Sequence, residues 1–156
     1  MSESVMKIEQ ATELMFSAVK RITHETIDEI YPQYYPSGAV DLFKRYHSDE
    51  NILSDIKNGY VFLLYVDAEP IATITINGNH ILRLFVLSKY QHMGYGKALL
   101  DFAEKKIAEK FTDIELDASL PAKHIYQKRG YSEKEYHKLH ADNGDYLCYD
   151  VMVKSL

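Results

Sequence analysis

A chain of 156 residues with 46% hydrophobic and 26% charged residues suits one compact domain and leaves little material for a second core. Its 18 Lys and Arg against 23 Asp and Glu give a formal net charge of −5, without the cationic excess that neutralises a phosphate backbone, so nucleic acid is not an expected partner. The single Cys148 allows no intramolecular disulfide, the start MSESVMKIEQ lacks the basic and apolar regions of a leader peptide, and the longest apolar runs, such as Val61–Val66 and Leu84–Leu87, fall far short of a ~20-residue bilayer span. A cytoplasmic protein without membrane association is the expectation.

In chain order, Lys7–Gln10 reads as a first strand. Thr12 is placed to cap a helix in which Leu14, Met15, Ala18, Val19, Ile22, Ile27 and Ile30 recur at near-helical spacing. The stretch Tyr31–Pro36 is expected to be irregular or extended, because each proline disfavours the helical region for the residue before it. Ser37 then caps a short helix to about Tyr46, and Ser48–Lys57 reads as another, ended by Asn58-Gly59. From Tyr60 the texture turns to strand: YVFLLYV, a turn over Asp67–Pro70, IATITIN, a turn at Gly78-Asn79, then HILRLFVL, together an antiparallel meander.

Gly94 to about Lys110 is helical, with Ala98, Leu99, Phe102, Ala103, Ile107 and Phe111 on one apolar face, and Ile114–Asp117 is a short strand beyond it. This strand, helix and strand form a βαβ unit whose crossover suits parallel, right-handed pairing. Pro121–Lys128 reads as a last helix, broken at Gly130, and two closing strands run over 131–137 and 146–154. The expected fold is α+β: one mixed central sheet, an antiparallel meander followed by the βαβ unit, and helices on both faces. No repeat, low-complexity tract or linker divides the chain, so residues 1–156 are read as a single domain.

The most informative stretch is Gln91-His92-Met93-Gly94-Tyr95-Gly96-Lys97, between strand and helix. Two glycines at i and i+2 let a ligand approach the backbone, and the free N–H groups of a helix start attract phosphate oxygens. It is not a Walker loop, since Ala98 stands where a magnesium-binding Ser or Thr is needed. Nor is it the dinucleotide fingerprint, since Leu99 occupies the third glycine position. On its own, a pair of glycines opening a helix also fits an ordinary tight turn.

Residues Leu84–Leu100 resemble the acetyl-coenzyme A motif of the GNAT family of N-acetyltransferases, whose Gln/Arg-x-x-Gly-x-Gly/Ala is matched by Gln91, Gly94 and Gly96. Asp117–Tyr131 resembles that family's second motif, with an alanine, a tyrosine one turn later, and Lys-x-Gly-aromatic. The order of upstream elements agrees with the family as well. The resemblance implies acetyl transfer from acetyl-coenzyme A, as co-substrate, to a primary amine by direct attack in a ternary complex, with no metal. It implies backbone contacts to the cofactor from Leu84, Phe85 and Val86 along the pantetheine arm. Gln91, His92, Met93, Gly94, Tyr95, Gly96 and Lys97 would surround the pyrophosphate, and Ser119 and Ala122 would flank the other side.

By the same resemblance Tyr126 is the general acid for the departing thiolate, and His80 stands where many members carry a base. By residue type alone, Tyr126 also reads as an ordinary core tyrosine and His80 as a structural or solvated strand-end histidine. The resemblance also implies an acceptor wall from the segment between the first two helices and from the closing strands, here Tyr31, Tyr34, Tyr35, Tyr136 and Tyr146, whose faces can hold a cationic amine; Glu25, Asp28 and Glu29 either add negative potential or simply solvate their helix. The acceptor is expected to be a small molecule or a peptide, and the protein a monomer or homodimer. The competing reading is a non-catalytic module that binds acetyl-coenzyme A as a sensor or scaffold. His24-Glu-Thr-Ile-Asp28 lacks the second histidine of a metalloprotease helix, and His137, His140 and Asp142 read as surface polar residues rather than metal ligands.

Overall fold

The computed structural model describes residues 5–156; the leader-peptide expectation rests partly on residues 1–4, outside the described residues. The elements run β1 (Met6–Gln10), α1 (Phe16–Ile30), α2 (Ser37–Tyr46), α3 (Asp49–Lys57), β2 (Val61–Val66), β3 (Glu69–Asn77) and β4 (His80–Val86). They continue through α4 (Tyr95–Ala108), β5 (Asp113–Ala118), α5 (Leu120–Lys128), β6 (Ser132–His140) and β7 (Tyr146–Ser155). One seven-stranded sheet has the order β1-β2-β3-β4-β5-β7-β6. All pairs are antiparallel except β4 with β5, as the meander and βαβ patterns predict.

The strand period of two sorts the core into two layers. On one face Phe62, Leu64, Ile74 and Leu116 pack with Leu99, Leu100, Ala103 and Ile107 of α4 and with Tyr126 of α5. On the other, Val61, Leu63 and Phe85 pack with Val19, Ile22 and Ile27 of α1, Ala39 and Val40 of α2, and Ile52 and Ile56 of α3. Burying Leu99, Ile22 or Ile52, each with no exposed surface, contributes about 1.5–3 kcal/mol per side chain.

Several local expectations are corrected. Thr12 makes no side-chain cap; it precedes only a 3-10 turn over Glu13–Met15, α1 begins at Phe16, and Leu14 stands 97% exposed. Tyr31–Gln33 is neither irregular nor extended but a 3-10 turn continuing α1, with Tyr34 N–H and Tyr35 N–H both donating to the Tyr31 carbonyl. Pro32 is tolerated because it sits in the first turn, where its missing N–H would have no acceptor. The β2–β3 turn is only Asp67-Ala68, both with positive φ, and Pro70 lies within β3 beside a register shift opposite Leu64 and Tyr65. Such an irregularity accommodates a proline inside a sheet. Phe111 lies past the end of α4 and is half-exposed. Ser48 does cap α3, accepting from Asn51 N–H at 3.2 Å, and Gly59 follows its end with φ +78°.

Candidate active site

A single extra residue in β4 opens the site. Thr75 pairs with Arg83 and Ile76 with Ile81, so Leu82 has no partner on β3. A bulge of this kind bends the strand and increases its twist. The parallel ladder with β5 stops at the same level, after His80 with Glu115 and Ile81 with Leu116. Beyond it, β4 stays paired to β3 as far as Val86, and β5 stays paired to β7 as far as Ala118. The inner edges of the two diverging strands are thus backbone without a strand partner, a slot suited to an extended ligand carrying amides.

The loop after β4 leads to the mouth of this slot. Gln91 Nε2 donates to the Val86 carbonyl at 2.9 Å, tying the loop to the strand end. His92 and Gly94 have φ of +63° and +88°, and no side chain caps α4. The N–H groups of its first turn therefore point outward at the positive end of a 14-residue helix. Gly96 has ordinary helical backbone, and a Cβ there would meet only Val86 Cγ2, at 3.8 Å. The protein itself does not need glycine at this position; a side chain would instead fill the open space before the helix, where an anionic ligand would be cradled.

That space is part of a cavity of about 500 Å³, lined among others by Leu84, Phe85, Val86, Gln91, His92, Gly94, Gly96, Lys97, Ser119 and Ala122. These are ten of the twelve residues expected to hold the cofactor. Met93 is exposed, and Tyr95 packs its ring against Tyr90 at 6.3 Å; neither lines the cavity. Lys128 and Arg129, from the end of α5, also line the wall; the Arg129 guanidinium is paired with Glu104 and Asp101 of α4. The Lys-x-Gly-aromatic run contained them, but only the fold brings them beside the loop.

A second cavity of about 390 Å³ lies on the far side of the slot and shares Tyr31, Leu84, Phe85, Ser119, Ala122 and Tyr126 with the first. Tyr126 is 5% exposed, and burial pushes its phenol well above the ordinary tyrosine range, so it stays protonated throughout the neutral range. Among the described residues its hydroxyl has no hydrogen-bond partner. Tyr31 is pushed up to about 12 by burial, against which a hydrogen bond with Ser119 works.

The second cavity is polar on two sides. On the β4 side, Arg83 is 6% exposed and reaches Asp55 Oδ2 at 2.5 Å and Thr75 Oγ1 at 3.3 Å, while its Nε–H donates to His47 Nδ1 at 2.7 Å. Burial first, then the Arg83 charge, lower the His47 pKa to about 3. On the β5 side, Asp117 Oδ1 lies 2.9 Å from His80 Nε2, and this hydrogen bond, the largest cause, raises the His80 pKa against the opposing effect of burial. Tyr46 and Tyr149 supply aromatic walls.

Of the residues expected to wall the acceptor, Tyr31 lines both cavities. Tyr35 is buried beneath them, its hydroxyl donating to the Cys148 carbonyl at 3.0 Å and accepting from Leu120 N–H. Tyr34, Tyr136 and Tyr146 are exposed and line neither cavity. His80 adjoins the second cavity only through Asp117. His47, Arg83, Asp117, Tyr46 and Tyr149 were not singled out from the sequence as acceptor residues. Arg83, a charge at an inward position of an apolar strand, was the one local signal available. No group of three or more His, Cys, Asp or Glu capable of holding a metal ion occurs among the described residues, and no helix there is long and apolar enough to cross a membrane.

No curated protein matches the chain. Among solved structures, the GCN5-related N-acetyltransferase of Rhodopseudomonas palustris is similar over 100% of this chain and 98% of its own, with TM-score 0.86 and 21% identity. The PaiA N-acetyltransferase of Thermoplasma acidophilum, solved in complex with coenzyme A, is similar over 97% of this chain and 99% of its own, with TM-score 0.74 and 20% identity. Arabidopsis thaliana Naa50, solved with the bisubstrate analogue CoA-Ac-MVNAL, is similar over 97% of this chain and 99% of its own, with TM-score 0.65 and 18% identity. At these identities the likeness concerns the fold. The family described as the acetyltransferase (GNAT) domain matches residues 11–144, most of the sequence, and the chain therefore belongs to the GNAT acetyltransferase family.

Proposed function

We propose that residues 1–156 form a single acetyltransferase domain that moves an acetyl group from acetyl-coenzyme A to a primary amine of a small molecule or peptide, both held at once. The observation that carries this reading is the meeting of two cavities at Tyr126. A donor can lie on one side and an acceptor on the other without exchanging places, whereas a sensor would need only the first cavity.

Acetyl-coenzyme A supplies the reactive thioester. The free N–H groups at the start of α4, with Lys97 and Lys128 nearby, bind phosphates, and the inner edge of β4 orients an amide-bearing arm as an added strand. The Val86 N–H faces the thioester carbonyl. Asp117 attracts the ammonium form of the acceptor between aromatic faces. The Asp117–His80 pair receives its proton, and His80, partly open to solvent, passes it outward. Tyr126 donates its phenolic proton to the departing thiolate as the C–S bond breaks; with reference pKa values of about 8.5 for the thiol and 10 for the phenol the proton transfer is slightly uphill by itself and is carried by collapse of the tetrahedral intermediate to the amide.

The test is amine-dependent release of free coenzyme A across a panel of alkylamines, polyamines, aminoglycosides and peptide amino termini. Wild type should turn over at least one of them, and Tyr126→Phe should lower kcat at least about tenfold while leaving acetyl-coenzyme A affinity nearly unchanged. Binding of acetyl-coenzyme A without amine-dependent thiol release would favour the sensor.

A further inference from the structure

His47 is held in one orientation by contacts from two elements, β4 and α1. Its ring Nδ1 accepts from Arg83 Nε–H at 2.7 Å, its ring stands edge-on to Phe85 with centroids 5.6 Å apart, and its carbonyl accepts from His24 Nε2 at 2.8 Å. Arg83 is itself anchored by Asp55 and Thr75. Because the guanidinium can only donate, Nδ1 must be the bare nitrogen and the ring proton must sit on Nε2. Among the described residues Nε2 has no hydrogen-bond partner, and His47 lines the acceptor cavity. We infer that His47 is a fixed hydrogen-bond donor that selects acceptor amines carrying a carbonyl or carboxylate oxygen beside the amino group over plain alkylamines and polyamines.

This inference rests on the acetyltransferase reading of the second cavity. The two arms of the slot give that cavity unlike poles. On the β4 side the Arg83 charge is matched by Asp55, and the neutral His47 ring presents an N–H, where an oxygen acceptor is favoured and a second ammonium finds no partner. Asp117, on the β5 side, takes the cationic amine. The depressed basicity of His47 keeps it neutral throughout the neutral range, so the donor persists and Nδ1, engaged by Arg83, is not free to act as a base. Arg83 and Asp55 are positioning residues: they set the tautomer and the ring plane without touching the acceptor.

Two acceptor pairs that differ only by a carboxamide test the idea: phenylalaninamide against 2-phenylethylamine, and alaninamide against ethylamine. In His47→Phe, kcat/KM should fall about tenfold more for each carboxamide than for its plain amine, the scale of one hydrogen bond lost from a buried site. Comparing variant with wild type for each acceptor cancels differences in amine basicity. His47→Gln, whose amide can accept from Arg83 while donating into the cavity, should recover part of the preference. Independently of turnover, long-range proton–nitrogen spectra of the wild-type protein with coenzyme A should show His47 as the Nε2–H tautomer from pH 6 to 8. Its Nε2 signal should move on adding the carboxamides and not the plain amines. An equal fall for both members of each pair, an Nδ1–H tautomer, or a His47 signal indifferent to the carboxamide would overturn the inference while leaving acetyl transfer intact. Failure of every amine to release coenzyme A overturns the transferase reading instead, and the spectra still decide what His47 recognises.

Discussion

The Tyr35 hydroxyl accepts a hydrogen bond from the Leu120 backbone N–H at 2.7 Å, joining the turn after α1 to the first residue of α5 across 85 positions of sequence. The same hydroxyl donates to the Cys148 carbonyl of β7 at 3.0 Å. One phenol thus satisfies an otherwise free donor of a helix start and fixes the helix that carries Tyr126. Tyr35→Phe keeps the ring but leaves two partners unpaired, and should lower unfolding free energy by about 1–3 kcal/mol. It should also reduce kcat more than acetyl-coenzyme A affinity. Urea unfolding and steady-state kinetics check both, and an unchanged unfolding midpoint would remove the clasp from this account.

The two loop glycines should fail differently. Gly96→Val places its side chain in open space with one ordinary contact, so the protein should fold, yet saturating acetyl-coenzyme A should no longer raise its Tm. Gly94→Ala meets nothing within 4 Å but must hold φ near +88°, which costs about 1–2 kcal/mol in the left-handed region. Thermal scans with and without ligand separate the two: ligand response lost in one, intrinsic stability lost in the other. A Gly96→Val protein that still gains Tm from acetyl-coenzyme A would refute the cradle.

His80 should give stability a defined pH dependence. Its folded pKa is raised above the ordinary value by Asp117, so the protonated ring binds the native state more strongly than the unfolded chain. That stabilisation is fully present below the unfolded pKa near 6.5 and fades as pH rises through the folded value. His80→Ala should therefore be less stable than wild type at pH 5.5, with the gap closing in alkaline solution. Its turnover should fall more at neutral pH than at high pH, where free amine is plentiful. A constant stability gap across pH would sink the ion-pair explanation, and an equal loss of turnover at every pH would sink the proton-transfer role.

Breaking the Asp55–Arg83 pair should be the most damaging of these changes to stability. Arg83 is almost wholly enclosed, and Asp55→Asn strips its charged partner without restoring water, at a cost of about 3 kcal/mol. Replacing both residues, as in Asp55→Leu with Arg83→Met, removes the buried charge altogether and should be less destabilised than the single change. Denaturant titration of the three proteins checks the order, and a double variant that is weaker than Asp55→Asn would contradict it.

The loop side of the proposed site was legible before any fold was known. Gln91, Gly94 and Gly96 lie within six residues, and the role proposed for them depends on backbone freedom and on a helix start, both short-range properties. Tyr126 was singled out for a similar reason, since the motif it resembles is one short strand–helix segment. The alternation of β2, β3 and β4 and the turn residues at Asp67–Pro70 and Gly78-Asn79 likewise announced the meander. The second cavity was not legible, because it gathers Tyr46 and His47 from the end of α2, Arg83 from β4, Asp117 from β5 and Tyr149 from β7. The family resemblance pointed instead to tyrosines of the segment between the first two helices and of the closing strands, among them Tyr34, Tyr136 and Tyr146, which the chain leaves at the surface. Neither the bulge at Leu82 nor the early end of the β4–β5 ladder could be read from composition or period, because register is a property of pairing between strands. The sequence by itself determined a glycine turn opening a helix and the candidate acid beside it, through patterns only a few residues long. The tertiary structure decided which side chains line the second cavity, because long-range pairing and burial govern where the strands part.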